Sequence, residues 1–241
     1  MALHLLLRLE APLMSFGSLA VDANRPVQRW PAVSMLTGLL ANALGWRRTD
    51  GAALDALQQR LRWAARVDRP GEPLQDFQTA QLAHDDQGWT THGHPEGRAG
   101  GQPTYGPPHI RLREYRADAS VAVVLRLEPA DRPPTLQDLD AALRQPRRPL
   151  FIGRKSCLPS LPLRVGLRDA VDALQALDEL PHADQAVPQP AVFFHPGAVH
   201  RAVPHVRHRS SDERRFTLDV HAGRQIVCER LPEPAGEASR P

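Results

Sequence analysis

The chain has 241 residues, enough for one large domain or a main domain with a smaller appendage, and enough to bury a core. Hydrophobic residues make up 41% and charged residues 24%, which excludes wholesale disorder and a coiled-coil rod. The net charge of +3 does not by itself mark a nucleic-acid binder, because such proteins are recognised by clustered charge and not by the total.

The apolar run in MALHLLLRLEAP is too short to cross a bilayer and reads as a strand over residues 3–9, buried on both faces. A Pro-, Gly- and Arg-containing loop fills residues 10–31. SMLTGLLANAL, residues 34–44, predicts a helix with Ser34 as N-cap and Gly45 as its stop, and residues 54–61 a second, shorter helix. RWAARVD, residues 62–68, alternates as a strand. Periodicity is then lost over residues 70–117, a Gly- and Pro-rich excursion too long for an ordinary loop in a compact domain.

Order returns with a strand over residues 119–127 (ASVAVVLRL) and a helix over 135–143, where Thr135 and Asp138 stand at cap and first-turn positions. Residues 162–167 predict a further strand. Laid end to end, residues 1–168 give the β-α-β-β-α-β order of an α+β, ferredoxin-like or RRM-like domain, with the excursion between its two central strands. A short helix over 169–177 and strands over 191–195, 203–209, 216–221 and 225–229 predict a small β-rich C-terminal subdomain, residues 169–231. Residues 232–241 read as a disordered tail.

The densest group of chemistry-bearing residues is Arg147, Arg148, Phe151, Gly153, Arg154, Lys155, Ser156 and Cys157. Arginine forks onto phosphate, glycine lets backbone N–H groups approach, serine donates to phosphate oxygens, and an aromatic ring offers a face to an unstacked base. The competing reading is a solvated basic loop with Phe151 in the core. Arg25 sits on the loop before the first helix, placed to hold a phosphate or cap a carbonyl. Tyr105, His109, Arg111, Arg113 and Tyr115 form a basic and aromatic cluster in the excursion, Tyr115 being as readily a buried anchor.

Histidines such as His92, His94, His205 and His208 show neither zinc-finger nor zincin spacing, so no metal is expected. With no P-loop and no GxGxxG, no cofactor is expected either. Only Lys155 of the 30 basic residues is lysine, an asymmetry that coding bias toward Ala, Pro and Arg explains as well as phosphate chemistry does. Cys157 and Cys228, far apart in the chain, point to a reducing cytoplasm, with no membrane association.

Three stretches carry a family resemblance: APLMSFG with NRPVQRWPAVSMLTGLLANALG, then LREYRADASVAVVLRL, then PRRPLFIGRKSCLPSLPL. In this order and spacing they resemble the CasD family (the fifth Cas protein family, RAMP superfamily) of type I-E CRISPR Cascade complexes. The resemblance implies a noncatalytic subunit of an antiviral ribonucleoprotein. It would bind and cap the 5′ handle of the crRNA with an RRM-like body and a thumb, which the excursion would form. Its implied neighbours are the backbone subunit of CasC type and the large subunit of CasA type, with target DNA met only through the complex. The family's matching segment contacts the handle, which favours an RNA role for the Arg147–Cys157 group, and Arg113 aligns with a thumb arginine that resembles an RNA contact.

The alternative function is a metal-independent endoribonuclease that processes CRISPR repeat RNA. It would need a general acid and base at a ribose 2′-OH and a cation for the phosphorane charge. Lys155, Tyr115 and His109 are the residues available for it, but no compact motif joins them.

Overall fold

The computed structural model describes residues 1–18, 23–81, 108–221, 223 and 225–232. It is a mixed α+β protein built on a large antiparallel sheet. In chain order the main elements are β1 (Ala2–Met14), β2 (Asn24–Arg25), α1 (Val33–Leu44), α2 (Gly51–Arg60), β3 (Leu61–Arg69), β4 (Glu72–Ala80), β5 (His109–Leu127) and α3 (Leu136–Arg144). They are followed by β6 (Arg164–Ala170), α4 (Ala173–Asp178), β7 (Ala191–Phe194), β8 (His205–Ser210), β9 (Arg214–Arg215), β10 (Val220–His221) and β11 (Gln225–Arg230).

The sheet runs β6-β1-β5-β3-β7-β11-β8, with β2 and β4 joined to the outer part of β5, and β9 and β10 form a separate two-stranded ribbon. Alternation along the central strands decides which helix lies on which face. Leu5, Leu7 and Leu9 of β1, Trp63 of β3 and Val121, Val123 and Leu125 of β5 face a core shared with Leu36, Leu40, Leu57 and Leu139 of α1, α2 and α3. The opposite positions carry Leu6, Ala64, Ala122 and Val124, and this flatter surface receives Leu174 and Leu177 of α4. The apolar stretch at the N-terminus is therefore a central strand because both of its faces are covered.

The expected elements recur with altered bounds. β1 continues to Met14, because its outer half pairs with Ala117 and Arg116 of β5. The excursion begins and ends as strand: residues 72–80 pair antiparallel with 117–109. Residues 82–107 and 233–241 lie outside the described residues, and with them the tip of the excursion, Tyr105 and the expected tail.

Gly45 ends α1 in the left-handed region, and Thr135 and Asp138 form a reciprocal capping box on α3. Ser34 is not the cap of α1: the helix starts at Val33, the N-cap residue Ala32 offers no side-chain acceptor, and the Asp212 carboxylate accepts from Val33 N–H at 3.2 Å instead. Residues 216–221 are not a strand but the turn and second arm of the β9–β10 ribbon. The remaining C-terminal strands continue the main sheet outward from β3 through β7.

Candidate nucleic-acid interface

The segment after α3 is stitched onto the C-terminal end of α1. Arg147 N–H donates to the Ala43 carbonyl at 3.0 Å, the Asn42 amide donates to the Pro149 carbonyl at 2.6 Å, and Arg148 Nη1 donates to the Trp46 carbonyl at 2.8 Å. The Arg147 side chain stays exposed. The next residues form a tight turn with buried ends: Ile152 N–H donates to the Cys157 carbonyl at 2.8 Å, and Cys157 N–H to the Arg154 carbonyl at 2.9 Å. That turn leaves Gly153, Lys155 and Ser156 exposed.

Gly153 has φ +88°, and a Cβ there would lie 1.7 Å from the Ser15 carbonyl oxygen. Only glycine fits a backbone packed that closely in that conformation. Its neighbour Ile152 accepts from Ser15 N–H at 3.2 Å, so the turn is fastened to the end of β1.

Arg154 points inward. Nη1 donates to the Glu114 carbonyl at 2.7 Å, Nη2 to the Arg25 carbonyl at 3.0 Å, and the guanidinium lies over the Tyr115 ring. It ties the turn to β2 and β5 at once. Arg25 lies on β2 opposite Arg113, while Arg113 and Arg111 are half-buried on β5 across from Asp76 and Gln78.

Cys157 departs from the expected contact set: its side chain is fully buried in the main core, and burial pushes its thiol up despite nearby donors. A raised, inaccessible thiol is neither an RNA contact nor a nucleophile. Phe151 resolves the other way. It is half-buried outside the core and borders two adjoining cavities of about 540 and 680 Å³.

The first cavity is bordered by Ser15, Arg25, Gly153 and Arg154, the second by Trp46, Arg47, Arg48, Arg148 and Lys155. Gly38, Phe151, Arg214 and Phe216 belong to both, which makes the two a continuous groove. Arg214 and Phe216 went unnoticed in the sequence, although Arg-Arg-Phe at 214–216 carries the same basic and aromatic signal as the segment after α3. Asp219 bridges Arg48, at 2.5 Å, and Arg214. His221, which borders the first cavity, is held below the usual histidine range by burial and then by Arg214.

The groove thus offers arginine forks, a lysine and three aromatic side chains, Trp46, Phe151 and Phe216, beside Gly38 and Gly153. These groups suit the phosphates and splayed bases of a single strand. Among the described residues, no group of three or more His, Cys, Asp or Glu side chains is placed to hold a metal ion, and no helix is long and apolar enough to cross a membrane.

Residues 4–227 match the family model described as CRISPR-associated protein (Cas_Cas5). The chain belongs to the Cas5 family of CRISPR-associated proteins. It is 31% identical over 183 residues to the CRISPR system Cascade subunit CasD of Escherichia coli strain K12, covering 72% of this chain and 75% of that protein. A chain of a solved CRISPR RNA-guided surveillance complex superposes with a TM-score of 0.61 at 26% identity, over 94% of this chain and 88% of that one. A crystal structure of a Cas protein gives a TM-score of 0.61 at 27% identity, over 95% of both chains. Both likenesses span nearly the whole Cas5-family chain.

Proposed function

We propose that this Cas5-family chain is the CasD-type subunit of a Cascade surveillance complex, where it binds and caps the 5′ handle of the crRNA. In that role it links the backbone subunit of CasC type to the large subunit of CasA type, meets target DNA only through the complex, and works in the cytoplasm. The observation that carries the reading is the groove on which Arg25, Arg47, Arg48, Arg148, Lys155 and Phe151 converge. Phosphate contacts supply affinity for a strand without regard to sequence, and ring faces accept its unstacked bases.

The body is ferredoxin-like in this reading: the strand order β6-β1-β5-β3, with α1 and α3 on one face, supports it. The hairpin of β4 and outer β5 is the base of the thumb, and Arg111 and Arg113 are its RNA-facing cations. Residues 169–231 form a second unit that extends the sheet of the first.

The subunit is noncatalytic. The endoribonuclease alternative needs Tyr115 as an accessible proton donor, and Tyr115 is buried beneath the Arg154 guanidinium. General acid or base catalysis requires hydrogen-bond reach to the reacting group.

The test is co-expression of the tagged chain with the other subunits of its complex, followed by sequencing of the co-purified RNA. Guide RNAs sharing one 5′ handle are expected, and recovery of unrelated RNA or none would sink the assignment. Labelled repeat RNA incubated with the purified chain and a chelator should stay intact. Cleavage at the handle boundary would promote the endoribonuclease instead.

A further inference from the structure

The β9–β10 ribbon is too short to hold its own shape, since a two-stranded hairpin is marginal in water even at greater length. Here α2 holds it. The Asp55 carboxylate accepts from Phe216 N–H at 2.7 Å, from Thr217 Oγ1 at 2.8 Å and from Thr217 N–H at 3.3 Å. The Gln58 amide donates to the Arg214 carbonyl at 2.8 Å and accepts from Arg214 N–H at 3.2 Å. A Cβ on Gly51 would come within 3.0 Å of the Thr217 backbone, so helix and ribbon touch at main-chain distance.

This anchoring fixes Phe216 half-buried on the groove, with the Arg214 guanidinium carbon 5.9 Å from the centre of its ring. Phe216 and Phe151 come from unrelated parts of the chain and border the same two cavities. Gly38 of α1 borders both as well, and a Cβ there would meet nothing within 4 Å. Glycine inside a helix costs roughly 1 kcal/mol relative to alanine, yet no packing contact requires it here. The open space above it is where a flat ligand would lie.

We propose that the ribbon is the second jaw of a base clamp: one unstacked nucleobase of single-stranded RNA inserts between Phe216 and Phe151 over Gly38. This rests on the RNA-binding reading above and adds to it a ligand-binding role for the C-terminal ribbon. Two aromatic side chains that border both cavities, with arginines on either side, are the parts of a stacking platform. The preformed hydrogen bonds to Asp55 and Gln58 remove the ordering cost that a mobile jaw would add on binding.

The experiment uses the full chain and handle RNAs carrying 2-aminopurine at successive positions, since stacking on a ring quenches that base. Wild type is expected to quench one position strongly. Phe216→Ala and Phe151→Ala should each remove the quench and weaken affinity by roughly 5- to 150-fold, as for loss of one stacked base, while Phe216→Tyr keeps both. Gly38→Leu should block insertion with an unchanged melting temperature, so that loss of quench there cannot come from unfolding. Unchanged quench and affinity in Phe216→Ala and Gly38→Leu would overturn the clamp and leave the RNA-binding reading standing. Failure of wild type to bind handle RNA at all would overturn both.

Discussion

The Arg154 guanidinium lies over the Tyr115 ring, 4.6 Å from its centre, while donating to two main-chain carbonyls on neighbouring strands. A surface arginine reaching for phosphate would not be held from three sides, so this residue carries a structural duty beside any RNA contact. Cation–π contact is worth roughly 0.5–2 kcal/mol and a charge-assisted hydrogen bond about 1.5–3. Arg154→Ala and Arg154→Lys should therefore both lower the melting temperature, because lysine keeps the charge but not the planar fork. If lysine fully restores stability, the planar fork of Arg154 is not what holds the turn to β2 and β5.

Gly153→Ala should be more damaging than its size suggests. The new methyl would overlap the Ser15 carbonyl, and alanine would have to adopt φ +88°. A loss of several kcal/mol is expected, roughly 3 or more, since main chain must move on both sides. Denaturant unfolding checks it, and a variant within about 1 kcal/mol of wild type would show that the turn can part from β1.

Much of the central body was legible because its signals are local. The β1 leucines announce a strand buried on both faces, Gly45 ends a helix, and Thr135 with Asp138 spells a capping box. What stayed hidden depends on residues far apart in sequence. Asp212 caps α1 from beyond β8, and Asp55 with Gln58 orders a ribbon about 160 positions later. In the site, the basic segment after α3 was visible as composition, but whether Phe151 faced core or groove could not follow from its neighbours. Cys157 looked like part of that segment and instead anchors its turn in the core.

Stability should depend on His195 at mildly acidic pH. Burial first, then the Arg62 and Arg126 charges, pull its pKa down to about 4, with Glu128 opposing, and its Nδ1 accepts from Gly197 N–H at 2.9 Å. The folded state therefore keeps the ring neutral where the unfolded chain, near 6.5, is protonated. Between about pH 4 and 6.5 the unfolded state binds more protons, so stability rises with pH across that window and the contribution is lost below it. The shift corresponds to roughly 3 kcal/mol. Urea unfolding from pH 4.5 to 7 should show a steeper rise for wild type than for His195→Asn, whose Oδ1 can take over the Gly197 contact. Parallel profiles would count against a ring held neutral in the folded state.

The cations of the segment after α3 should separate by how they are held. Lys155 is exposed on the groove, Arg147 is exposed outside its lining, and Arg148, on the groove, is half-buried and bonded to the Trp46 carbonyl. For a single strand, each neutralised phosphate contributes about 0.7 to the slope of log K against log salt. If Lys155 and Arg147 each meet a phosphate, Lys155→Ala and Arg147→Ala should each flatten that slope by about 0.7 without changing the melting temperature. Arg148→Ala should flatten it and also loosen the segment after α3, which a lower melting temperature would reveal. Titrations of handle RNA at several salt concentrations decide the matter. Lowered affinity with the wild-type slope in Lys155→Ala would mean that the groove holds its ligand by contacts other than phosphate.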